Sequence, residues 1–213
     1  MTDHHRRRLY TRSACARVVL RLRHPVQWVQ QELEWGATTQ QTICGISVGV
    51  LPLDRLATSA AQDLAFEKVS MGLNLIAAYD PRRLSESQRL LRGILIRAQN
   101  CSGYRPASNI CVLSVDGVLD RSHGALASDV VHETTHARFA AAGLISFLSP
   151  HLLQRMEEDC VHQQIAFARS MPDTIFDRKQ QHIDFLEAEL EKQWWTPEEQ
   201  ARRYQEWRAG RNS

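Results

Sequence analysis

The chain has 213 residues, enough for one domain with a sizeable core. It is 43% hydrophobic and 23% charged, with a formal charge of +2. That balance argues against a disordered or fibrous protein and calls for neither a nucleic-acid nor a membrane partner. The five cysteines are widely spaced with no CxxC pair, which argues against a disulfide framework or a cysteine-based zinc cluster. They are expected to be reduced, with Cys111 and Cys160 acting as small hydrophobes inside apolar runs.

Residues 1–24 read as a basic arm. Seven arginines and no acid lie between residues 6 and 23, a composition shared by solvated leaders, anion-binding segments and transit peptides. No apolar h-region follows the arginines, so a secretory signal is not expected. The longest apolar stretch, residues 43–53, is about half of the roughly 20 residues a membrane span needs, and it contains a proline. The cytoplasm is the default location.

Residues 25–213 are expected to form one domain. Pro25 to Trp35 predicts a short helix ended by Gly36, and residues 41–51 a strand weakened by Gly45 and Gly49. Asp54 is a plausible cap for a helix over 55–79, with Leu56, Ala60, Leu64, Met71 and Leu75 as its core stripe. Asp80-Pro81 closes it. Ser85 and Gln88 have capping-box spacing, and Leu90, Leu91, Ile94, Leu95 and Ala98 continue as a helical stripe. A loop over 100–106 precedes "ICVLSV", residues 110–115, the clearest strand, and Asp116-Gly117 reads as a turn.

Ser128 is the expected cap of the next helix, which ends near Gly143. Ser149-Pro150 opens a helix over 150–170, stopped by Met171-Pro172. Further helices are expected at 174–192 and at 197–208, the latter opened by the capping box from Thr196 to Glu199. The adjacent Trp194 and Trp195 read as packing for that last helix. The expected class is α+β and mostly helical, with a small sheet before the motif helix.

The chemistry lies in "VVHETTHARF", residues 130–139. Positions i and i+4 of a helix share one face, so His132 and His136 can present imidazoles to a single metal ion. Glu133 stands about 100° around the axis, near enough to reach a water without being a ligand. Two imidazoles and one further ligand leave a tetrahedral zinc position open for water, with Glu133 as general base.

A third histidine in the HExxHxxGxxH pattern would need Gly at 139 and His at 142, where this chain has Phe139 and Ala142. The next helix offers Glu157, Glu158 and Asp159 instead. Advancing about 100° per residue from Leu152 places Glu157 at about 140°, inside the apolar arc, with Gln164 beside it. Glu158 and Asp159 fall toward the polar side. A carboxylate on a buried face needs a partner, so Glu157 is the preferred third ligand and Glu158 the alternative.

HETTH followed by a glutamate 21 residues after His136 resembles the gluzincin type of zincin metallopeptidase. The likeness spans roughly residues 110–170. It implies a zincin-like domain in which His132, His136 and Glu157 bind Zn²⁺ and Glu133 is the catalytic base acting on a peptide or protein substrate. It further implies an edge strand that holds the substrate backbone, a role residues 110–115 are placed to fill. Gluzincins often carry a histidine-orienting acid four residues after the ligand glutamate, and here that residue is Val161. Asp129 is an alternative orienting group, and Tyr79, Tyr104, His123 and His162 are candidates for stabilising an oxyanion. A zinc-binding or regulatory domain with little or no turnover is the competing reading.

Overall fold

The computed structural model describes residues 25–99, 102–144 and 150–191, together with Val18 and Arg21. Most of the basic arm, the helix expected at 197–208 and the tryptophan pair lie outside the described residues.

After α1 (Pro25–Gly36), the single strand expected at 41–51 is a hairpin of β1 (Thr39–Ile43) and β2 (Ile46–Val50). Cys44 and Gly45 both have positive φ, 48° and 73°, the left-handed pair that a tight two-residue hairpin turn requires. Asp54–Leu56 form only a 3₁₀ turn, and α2 (Ser59–Tyr79) starts after Thr58, whose side chain accepts from the Ala61 N–H. The expected core stripe holds only at its ends, with Leu56 in the core and Leu75 packed against it. Leu56 precedes the helix, so counting from it loses the helical phase, and Leu64 and Met71 are 44% and 45% exposed. The buried face is Ala65, Phe66, Val69, Gly72, Leu73 and Ile76.

Asp80 caps α3 (Pro81–Leu90) by accepting from the Arg83 N–H, with proline at the first position. The helical stripe expected to run on to Ala98 breaks here, because Gly93–Arg97 is β3. Its Ile94-Leu95-Ile96 run is buried on both faces, a pattern that a buried strand and a buried helix share. β4 (Gly103–Arg105) and β5 (Ile110–Ser114) complete a five-stranded sheet of order β1-β2-β3-β5-β4.

β2, β3 and β5 are parallel, and β1 and β4 are antiparallel edges. The α2–α3 crossover supplies the length that parallel pairing of β2 and β3 needs. One face of the sheet packs Ile94, Ile96, Cys111 and Leu113 into the main core, while Leu95, Ile110 and Val112 join Trp35 and Leu51 on the other. β5 is internal, so residues 110–115 are not the edge strand expected of them; the edges are β1 and β4. The turn expected at Asp116-Gly117 is a short helix, α4 (Val115–Asp120).

The motif helix is α5 (His123–Ala141). Its cap is Ser122, which accepts from the Ala125 N–H, rather than Ser128, which is fully buried inside the helix. It ends as expected at Gly143, with φ 81° and bonds from the Gly143 N–H to Ala140 and from the Leu144 N–H to Phe139, the Schellman pattern. Buried residues surround α5 on most sides, and it packs against α2, α3 and α6 (Pro150–Ser170). A helix so placed is a rigid platform. α7 (Lys179–Glu191) lies against α6. No described helix is long and apolar enough to cross a membrane.

Candidate metal centre

α5 and α6 bring three of the expected residues to one point. His132 Nε2 and His136 Nε2 are 3.0 Å apart, and Glu157 Oε2 lies 3.2 Å from the first and 3.3 Å from the second. The i, i+4 spacing stacks the two imidazoles, with ring centroids 4.8 Å apart. Glu157 enters from the inner face of α6. Glu158 instead accepts from Gln154 Nε2 one turn earlier on its own helix and is not at this point.

Glu133 is 4% exposed, and its Oε2 has no hydrogen-bond partner among the described residues. It shares with His132 the wall of an open cavity of about 530 Å³, also lined by Ser114 at the end of β5, by Asp116 and Arg121 after it, and by Gln164 and Leu186 from α6 and α7.

Gln164 is the residue that orients a histidine. Its Oε1 accepts from His132 Nδ1–H at 2.8 Å, which turns His132 Nε2 toward Glu157. Its amide nitrogen donates to Asp129 Oδ1 at 3.5 Å, and Arg121 donates to the other Asp129 oxygen. Asp129 thus acts on His132 through Gln164, not by direct contact. The signal was its place beside Glu157 on the wheel, two turns further along α6.

Burial works against a charge on His132, but the hydrogen bonds it donates to Glu157 and Gln164 and the charges of Glu133 and Glu157 outweigh it and raise the imidazole to about 9. Burial would also raise Glu157, yet the two histidines hold its carboxyl well below the usual range. Glu133 is raised by burial, an effect that the histidines only partly offset and that Glu157 and Asp129 reinforce. Asp129 is raised by burial against the pull of Arg121 and His132. Without a metal, then, a proton on His132 holds the carboxylate in place.

Cys160, one turn after Glu157, is a buried free thiol. Its Sγ and the ring nitrogens of His132 and His136 all lie within 4.8 Å of one another. Burial pushes the thiol pKa up, and Glu157 and Glu133 push it further.

None of the four oxyanion candidates lines the cavity. His162 is exposed, Tyr104 donates to Asn109, and His123 opens α5 more than two turns before His132.

The donor set fits zinc. It offers two imidazole nitrogens and a carboxylate oxygen, converging on a point beside a buried carboxylate oxygen with nothing to bind. Comparison with protein-family models, curated proteins and solved structures returned no match for this chain.

Proposed function

We propose that the chain is a zinc-dependent metallopeptidase of zincin type, in which His132, His136 and Glu157 hold Zn²⁺ and Glu133 is the general base. The observation that carries this reading is the convergence of His132 Nε2, His136 Nε2 and Glu157 Oε2 within 3.3 Å of one another beside the unpaired Glu133 Oε2. Zinc in such a site supplies Lewis acidity, polarising a carbonyl and bringing the pKa of water down to about 7.

The remaining steps belong to the chain itself. Gln164 fixes the His132 tautomer through Nδ1–H. Glu133 takes up a proton at Oε2, and its raised pKa suits it to hand that proton to a leaving amine. The cavity confines the scissile bond against Glu133. β4 is one of the two antiparallel edges of the sheet, with no strand on its outer side among the described residues. Ser102, next to it, lines the cavity. A substrate in extended conformation would add to β4 as a further strand. The substrate class is therefore an extended peptide or a protein segment.

Metal analysis of the purified chain tests the reading. About one zinc per chain is expected in the wild type and in Glu158→Ala, and a strongly reduced amount in Glu157→Ala. Glu133→Ala should keep zinc and lose cleavage of a peptide library. A wild type without zinc refutes the proposal, and cleavage by Glu133→Ala removes that residue from the mechanism.

Cys160 favours a second reading, a zinc-binding or regulatory domain of low turnover, because a fourth protein donor closes a tetrahedral site.

A further inference from the structure

We propose that Cys160 is a fourth protein ligand of this metal, completing a donor set of two histidines, one glutamate and one cysteine. The inference rests on the metal reading above and deepens it.

Cys160 is three positions after Glu157, so both side chains leave the same face of α6 toward α5. Around a tetrahedral zinc with nitrogen or oxygen at about 2.0–2.1 Å and sulfur at about 2.3 Å, donor atoms stand roughly 3.3–3.6 Å from one another. The nitrogens and the carboxylate oxygen, at 3.0, 3.2 and 3.3 Å, come within about 0.3 Å of that spacing. The sulfur lies within 4.8 Å of both histidines and needs to approach by no more than about 1.2–1.5 Å to match those distances.

Cys160 is fully buried, and the groups that reach it include the two imidazoles, within 4.8 Å, and Glu157, whose charge raises its thiol. Beside them lies the Glu133 carboxylate, buried with an oxygen that has no partner, which independently marks the point as built for a ligand the protein itself does not supply.

On coordination the S–H bond breaks, the sulfur lone pair forms the bond to the metal, and the proton leaves to solvent. Cys160 is not on the cavity wall, while His132 and Glu133 are. Four protein donors would complete a tetrahedral set, so the proposal goes with the low-turnover reading of this site.

The test uses the full chain loaded with Zn²⁺ for X-ray absorption and with Co²⁺ for optical spectroscopy. The zinc form should show one sulfur at about 2.3 Å among nitrogen and oxygen scatterers. The cobalt form should show a thiolate-to-metal charge-transfer band in the near ultraviolet, and a folded Cys160→Ser variant should lose both signals. One bound metal with a shell of nitrogen and oxygen alone overturns the inference and leaves the His132–His136–Glu157 site standing. So does a sulfur signal that survives in Cys160→Ser, since it then comes from another cysteine. A wild type that binds no metal overturns both readings. If Cys160→Ser does not fold, the wild-type absorption spectrum decides on its own, because sulfur is either in the shell or absent from it.

Discussion

Gln164→Leu removes two hydrogen bonds, a short one with His132 and a long one to Asp129, and little volume. In the wild type, Gln164 is 5% exposed and its Oε1 accepts from His132 Nδ1–H at 2.8 Å. The donor ring is protonated at neutral pH, with its pKa raised to about 9. A hydrogen bond to a charged group contributes about 1.5–3 kcal/mol, and at this depth water cannot replace the lost acceptor. The metal-free variant is therefore expected to be less stable by about 1–3 kcal/mol, after some return from burying leucine. Metal affinity should fall about 10- to 100-fold, the usual effect of removing a group that orients a ligand histidine. Gln164→Glu separates the two effects. It keeps an acceptor for Nδ1–H, so affinity should hold or improve, while a further carboxylate beside Asp129 should destabilise the metal-free protein. Urea unfolding without metal and competitive zinc titration measure the two quantities. A leucine variant within about 0.5 kcal/mol of wild type and with unchanged zinc affinity would refute the role given to Gln164.

Three further expectations concern packing and pH. Gly124→Ala places a Cβ 2.5 Å from the Phe176 ring, which is 1% exposed and cannot yield. The clash should outweigh alanine's better helix propensity and cost about 1–3 kcal/mol, seen as a lower Tm; an unchanged Tm would contradict the packing of α5 on Phe176. His182 is lowered to about 4, chiefly by burial and also by Arg121. A folded-state pKa below the unfolded value means that stability is full above about pH 6.5 and is lost as pH falls toward 4, by up to about 3 kcal/mol. Urea midpoints at pH 7 and 4.5 should show this fall in wild type and a smaller one in His182→Gln. His132 works in the opposite sense. Its pairing with Glu157 in the metal-free protein is complete below about pH 6.5 and lost as pH rises through about 9. Zinc must displace that proton, so affinity should rise at least about tenfold per pH unit between 6.5 and 8. A pH-independent affinity measured by competitive titration would remove the proton from His132.

The legible parts of the fold were the boundaries set by local chemistry. Gly143 ends α5 because only a residue at ease with positive φ closes that helix, and Pro150 and Pro172 bound α6 because proline suits a first turn and little else in a helix. Where burial is complete, the pattern loses its information. Ile94-Leu95-Ile96 is apolar on both sides, so a strand and a helix read alike, and the sheet decides. The face of α2 was misread for a different reason. Its phase depends on where the helix begins, and the Asp54–Leu56 turn is not part of it. The order of the strands depends on long-range pairing that no local signal carries, which is why residues 110–115 read as an edge and are central.

The site shows the same division, and its missing pieces explain one another. The two histidines and Glu157 follow from helical periodicity, but Gln164 and Cys160 act only once α6 lies against α5. Together the residues form a charge arrangement the protein does not balance alone. Asp129, Glu133 and Glu157 are all buried or nearly so. Arg121 pairs with Asp129, and the His132 proton serves Glu157, leaving Glu133 raised by burial with an unpaired oxygen. Burying a carboxylate without a partner costs several kcal/mol. Evolved cores seldom keep such a group without a use for it, and local violations concentrate at functional sites. A divalent cation at the meeting point of His132, His136 and Glu157 would take over the role of the proton on His132. It would also bring positive charge to Glu133 and give the Cys160 thiol a reason to ionise. One ion would thus account for three otherwise separate features: the charge on His132, the unpaired Glu133 oxygen and the buried Cys160 thiol.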